Sequence, residues 1–228
     1  MSHFQRDYEA LVTRLCSAYP SEQAMSLAVG GDFEHMGDVE YAILKQYGLK
    51  PGMFLVDVGC GSGRLAQGLL RNHWQGWYFG TDVVRALVDY AKAGVDKSAI
   101  PHNIVWRFRV TDGLSITRPD EDRANMVCFF SVLTHLLPEE SYVYLEHAHA
   151  ALREGGRVVL SYLSYPDHWE IFSQSIDRTR RRATGDHLNT FLHPETLSLW
   201  ASKIGFRLVS LDRLSHPELG QALCVLEK

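Results

Sequence analysis

From residue 53 onward, short apolar runs alternate with segments whose apolar residues recur at helical spacing. The runs are MFLVDVG (53–59), GWYFGTDV (76–83), NIVWRFRV (103–110), ANMVCFFSV (124–132) and GRVVLSYL (156–163). Between them lie GRLAQGLLRNH, VRALVDYAKAGV and PEESYVYLEHAHAALREGG. The last opens on Pro138 and two acids and closes on glycines, residues that helix ends favour. Continuous apolar strands separated by helices predict a parallel sheet covered on both faces. The carboxyl end departs from the alternation. There PETLSLWASKIG reads as a helix, and FRLVSLDRL and QALCVLEK read as strands joined by SHPELG. So short a connection holds no crossover helix, so these two strands form an antiparallel hairpin. The expected fold class is α/β: a doubly wound, seven-stranded, mostly parallel sheet with an antiparallel last strand.

Within that pattern one stretch is unusual. LVDVGCGSGRLA (55–66) carries a carboxylate, Asp57, inside a buried strand, then glycines at 59, 61 and 63. In doubly wound folds ligands bind beyond the carboxyl ends of the strands, and loops without Cβ atoms let a ligand approach the backbone. A dinucleotide fingerprint expects G-x-G-x-x-G, but Arg64 stands where the third glycine belongs. Asp82 ends the second strand, where a carboxylate can accept from ribose hydroxyls. Asp112 follows the third strand and Ser131 ends the fourth. Singly, each Asp reads equally well as a cap or turn residue. Their joint placement at successive strand ends points to a ligand.

These segments, with YFGTDVV, FRVTDGL, VCFFSVLTHLLPEE and ALREGGRVVLSYL, resemble the successive motifs of class I S-adenosylmethionine-dependent methyltransferases over residues 52–163. The resemblance implies a Rossmann-like methyltransferase fold, S-adenosylmethionine as cofactor and S-adenosylhomocysteine as product. It implies that Asp57 and the backbone of Gly59, Cys60 and Gly61 hold the methionine part. Asp82 then takes the ribose hydroxyls, with Val83 against the adenine. Asp112 accepts from the adenine amino group, Gly113 adds a backbone contact, and Ser131 sits where the family lines the methionine end and the substrate entrance. Arg64 either reaches the cofactor carboxylate or lies on the first helix of the domain. The expected organisation is an amino-terminal helical cap (1–50) and a cofactor-binding domain (51–228) with a substrate insertion at 164–193. In the cap, Gly30, Gly31 and Phe33 of AVGGDFEHMG are expected to help close the pocket.

Methyl transfer needs a general base only when the acceptor carries a proton, as a hydroxyl does. His135, after the fourth strand, and His187 are the catalytic candidates, with His193, Tyr162 and Tyr165 as further substrate contacts. Packing or capping explains each of these equally well. His147 and His149 lie two apart on a helix and share no face. No metal-ligand spacing occurs, so no metal is expected. Arg178, Arg180, Arg181 and Arg182 read as a solvated face or as a site for an anionic substrate.

Composition narrows the function little further. The formal charge of −4 over 228 residues provides no general attraction for nucleic acid or anionic membranes. The four cysteines are far apart and read as reduced. The amino terminus lacks a secretory pattern, and no apolar run approaches the ~20 residues of a membrane span. A cytoplasmic enzyme that methylates oxygen or nitrogen of a small molecule is expected. An RNA or protein methyltransferase, or a non-catalytic cofactor-binding module, is the alternative. Oligomeric state is not legible.

Overall fold

The computed structural model describes residues 2–95, 99–116, 123–173 and 188–228. They form two compact units, Met1–Gly113 and Leu114–Lys228. In the first, helices α1 (His3–Ala18), α2 (Ser21–Ala28) and α3 (Phe33–Gln46) precede strand β1 (Phe54–Val58). Then come α4 (Arg64–Arg71), β2 (Trp77–Asp82), α5 (Arg85–Gly94) and β3 (Trp106–Val110). These strands are parallel in the order β3-β2-β1, with Asp57 opposite Gly80 and Asp82 opposite Val110. Leu55, Val56, Asp57 and Val58 of β1 are all buried, which explains why the strand is apolar on both faces apart from Asp57.

Helices α3 and α4 cross at two glycines. A Cβ at Gly68 would stand 2.2 Å from the Gly37 carbonyl oxygen, and one at Gly37 would stand 2.5 Å from that of Arg64. Backbone packs on backbone there, and no side chain fits.

The second unit begins with β4 (Ala124–Phe129), a 3-10 turn (Leu133–His135) and α6 (Pro138–Ala151). It continues with β5 (Leu152–Ser164), α7 (Trp169–Ser173), β6 (Phe191–Leu192), α8 (Pro194–Ile204), β7 (Arg207–Leu211) and β8 (Ala222–Glu227). The strand order is β4-β5-β8-β7, with β6 beside β5. β4, β5 and β6 are parallel, whereas β8 runs antiparallel to β5 and β7. The carboxyl-terminal hairpin is therefore present, in a mostly parallel α/β architecture.

Two details differ from the sequence expectation. Eight strands are present among the described residues, because the two-residue β6 pairs with Leu163 and Ser164. Two residues are too few to display a period. Also, α6 stops at Ala151, and Leu152 already pairs with Ala124. Gly155, at φ +71°, donates its N–H to the Lys228 carbonyl at 2.9 Å, so it shapes an irregular strand and does not cap the helix.

Candidate functional site

In the first unit, the loop after β1 docks on the end of β2. The Gly59 and Cys60 N–H groups both donate to the Thr81 carbonyl, at 2.7 and 2.9 Å. Gly59, Gly61 and Gly63 take φ of +72°, +54° and +89°, a region that costs any residue with a Cβ. A Cβ on Gly61 would also stand 2.5 Å from Val29 Cγ1 of the α2–α3 turn. Cys60 is buried, and its thiol is pushed well above the ordinary range by burial and by the Asp57 and Asp82 carboxylates. It stays protonated and contributes backbone only.

Asp82 anchors this cradle. One carboxylate oxygen accepts from Gly61 N–H at 3.0 Å and the other from Val84 N–H at 2.9 Å. The Val83 N–H also bonds this carboxylate, so of its about four acceptor positions one remains for a further donor. Burial raises its pKa, and the backbone bonds oppose that shift. Tyr8 of α1 lies in the same neighbourhood: burial, and then the Asp82 charge, raise its hydroxyl pKa. Tyr8 and Val83 pack against a buried cluster of Val12, Met25, Ala28, Val84 and Leu87. Asp112 and Gly113 follow β3; Asp112 is exposed, and a Cβ on Gly113 would meet nothing within 4 Å.

Asp57 has a partner that sequence reasoning missed. The Tyr78 hydroxyl donates to its carboxylate at 2.5 Å. The tyrosine ring runs over Gly80, where a Cβ would stand 2.9 Å from Tyr78 Cε1. Arg64 lies at the start of α4, buried; its guanidinium donates to the Val29 carbonyl at 2.6 Å and to the buried Glu40 carboxylate. Ser62 donates to the Met25 carbonyl at 2.8 Å. The glycine loop and the amino-terminal helices are thus clamped together. No spacing in the sequence pairs residues 40 and 64.

The second unit carries the other predicted residues. Ser131 adopts φ +58°, rare for a residue with a side chain. Its N–H donates to Ser161 Oγ at 2.7 Å, its carbonyl accepts from the Thr134 hydroxyl at 2.9 Å, and its Oγ accepts from Gln221 Nε2 at 2.8 Å. His135 Nδ1 is 2.8 Å from the Leu188 carbonyl oxygen. A carbonyl only accepts, so Nδ1 carries the proton and the neutral ring has its lone pair on Nε2.

Tyr162 is buried and donates to the Asp212 carbonyl; burial foremost raises its pKa. His193 caps α8, accepting from Glu195 N–H at 3.3 Å. An aromatic cluster surrounds Tyr165: Phe172 stacks on it at 5.0 Å, His193 lies at 5.3 Å and Trp169 at 6.3 Å. Phe191 meets Phe172 edge-on at 5.8 Å. Ser215 gives its proton to Asp167 at 2.5 Å and receives one from His168 Nε2 at 2.8 Å. That staples two turns and activates no nucleophile. His187, Arg178, Arg180, Arg181 and Arg182 lie outside the described residues.

Chemically, a glycine cradle at positive φ beside a half-buried strand-end carboxylate fits a nucleoside cofactor with a cationic amino-acid end. This defines an α/β protein of the Rossmann-like, S-adenosylmethionine-binding class. The chain belongs to the methyltransferase domain family, whose pattern matches residues 36–211. It is therefore a methyltransferase that uses S-adenosylmethionine.

Among similar proteins, a ubiquinone biosynthesis O-methyltransferase of Coxiella burnetii (strain Dugway 5J108-111) is 24% identical over 171 residues, 73% of this chain and 69% of the relative. That of Alkalilimnicola ehrlichii is 27% identical over 175 residues, 75% and 67% of the two chains. Solved structures share the fold. Magnesium protoporphyrin IX methyltransferase from Synechocystis, with bound S-adenosylmethionine, aligns with a TM-score of 0.62 at 17% identity over 92% of this chain and 85% of its own. A TehB-like methyltransferase from Corynebacterium glutamicum aligns with 0.58 at 20% identity over 98% and 97%. Among the described residues, no helix is long and apolar enough to cross a membrane.

Proposed function

We propose that this enzyme transfers a methyl group to a hydroxyl oxygen of a small aromatic molecule in the cytoplasm. The observation that carries this reading is the tautomer of His135: the Leu188 carbonyl holds the proton on Nδ1, which makes Nε2 the basic nitrogen. Only an acceptor that must lose a proton, as a hydroxyl does, needs such a base. The cluster of Tyr165, Trp169, Phe172 and Phe191 supports an aromatic acceptor. The names of the similar O-methyltransferases agree with oxygen as the target.

S-adenosylmethionine, when bound, supplies an electrophilic methyl on a sulfonium. In this assignment Asp57 and the backbone of Gly59, Cys60 and Gly61 hold its methionine end. Asp82 accepts from the ribose, Val83 packs on the adenine, and Asp112 and Gly113 complete the nucleoside contacts. His135 takes the hydroxyl proton as the oxygen is methylated, and the rest of catalysis is alignment and exclusion of water. Residues 1–50 act as a cap, and 164–193 choose the substrate, with His187 a second candidate contact.

Isotope transfer from methyl-labelled cofactor into fractionated extract tests this. Label in phenolic metabolites supports it. Label in RNA or protein, or none at all, overturns it. His135→Ala should lower kcat by about 10²-fold or more while leaving cofactor affinity intact.

A further inference from the structure

The Ser131–Ser161–Gln221 triangle has a direction that its chemistry dictates. The Ser131 backbone N–H can only donate, so Ser161 Oγ accepts it, at 2.7 Å. Ser161 is fully buried, and its single proton needs an acceptor; Gln221 Oε1 lies at 2.7 Å. That contact fixes the amide, so Gln221 Nε2 donates to Ser131 Oγ at 2.8 Å. Turning the amide over would leave the buried Ser161 proton without a partner, the costlier arrangement. Ser131, by contrast, is half-buried at the end of β4, on the strand edge where ligands bind in such folds.

The Ser131 hydroxyl is therefore filled as an acceptor, and its proton has no acceptor among the described residues. Its N–H and carbonyl are also engaged, by Ser161 and Thr134. The left-handed backbone at φ +58° persists because these bonds hold it.

We infer that Ser131 presents its O–H as an aimed hydrogen-bond donor to an oxygen of the methyl acceptor, with Ser161 and Gln221 as positioning residues that keep the proton pointing outward. The inference rests on the aromatic-hydroxyl reading above. It adds that the acceptor carries an oxygen able to accept this bond: the ionising phenol oxygen or one ortho to it. A donor there stabilises phenolate, which complements proton removal by His135.

The test uses 4-nitrocatechol as acceptor and two variants of the full-length protein. Ser131→Gly deletes the donor while easing the strained backbone, so folding is protected. Gln221→Glu is nearly isosteric, but an ionised carboxylate accepts from both serines and turns the Ser131 proton inward. Each variant should lose about 10- to 100-fold in kcat/KM for the probe, with the Kd for S-adenosylmethionine unchanged. As pH is lowered, the Gln221→Glu variant should recover relative to wild type, because a protonated Glu can again donate to Ser131. The Ser131→Gly variant should show no such recovery.

Wild-type kcat/KM in both variants would overturn the inference and leave phenol methylation standing. Weakened cofactor binding by Ser131→Gly would assign the hydroxyl to the cofactor carboxylate and overturn the acceptor assignment. Failure of wild type to methylate 4-nitrocatechol or any of a panel of hydroxybenzenes would overturn both readings together.

Discussion

Asp82 holds the glycine loop in place and is the proposed ribose contact. Its two carboxylate oxygens close the cradle by accepting from Gly61 and Val84. Removing it by Asp82→Ala should weaken cofactor binding by about 1–3 kcal/mol, read by calorimetric titration. Burial raises its pKa from the ordinary 3.8, so the folded protein binds this proton more readily than the unfolded chain. The contribution of this group to stability therefore declines as pH climbs from 3.8 through the raised value. In the proposed assignment of Asp82 to the ribose, cofactor affinity should move in the opposite direction, because the ionised carboxylate is the stronger hydrogen-bond acceptor. Titrations of wild type should show Kd worsening on acidification, starting above the usual carboxylate range. The Asp82→Ala variant should lack that dependence.

At the scale of elements, the union of α3 and α4 is the feature most open to test. An Ala in a helix interior ordinarily gains about 1 kcal/mol over Gly. At Gly68 that gain is overridden, since the new methyl would stand 2.2 Å from the Gly37 carbonyl oxygen and force the helices apart. Gly68→Ala should lower the denaturant midpoint despite its better helix propensity. The Arg64–Glu40 pair joins the same helices while nearly fully buried. Glu40→Ala strands a buried guanidinium and should cost about 3–5 kcal/mol. The double change Arg64→Leu with Glu40→Leu should cost far less than the two single changes summed, as a double-mutant cycle would measure.

For the whole molecule, ligand linkage gives the simplest measurement. S-adenosylhomocysteine at 100 times its Kd should add about 2.7 kcal/mol of stability. For a chain of this length that corresponds to a rise of roughly 5–10 °C in Tm. No shift at saturating ligand would remove the cradle from cofactor binding.

Sequence alone determined what depends on neighbours along the chain. The apolar runs located seven of the eight strands; the central parallel strands β1, β2, β4 and β5 are largely buried and leave a near-continuous hydrophobic signature, whereas β3 alternates. The glycines at 59, 61 and 63 and the acid at 82 marked the cradle, because positive φ and a strand-end carboxylate each demand a residue type at a fixed offset. The terminal hairpin followed from a connection too short for anything else. The tertiary structure decided everything that joins distant positions. Tyr78 reaches Asp57 only because β1 and β2 pair in one particular register over Gly80. Gly37 meets Gly68, and Glu40 meets Arg64, only where α3 crosses α4. Gln221 lies 90 positions from Ser131, and only the strand order β4-β5-β8 brings its amide within 2.8 Å. Hydrogen-bond direction is a property of such assembled neighbours, so no local pattern encodes it.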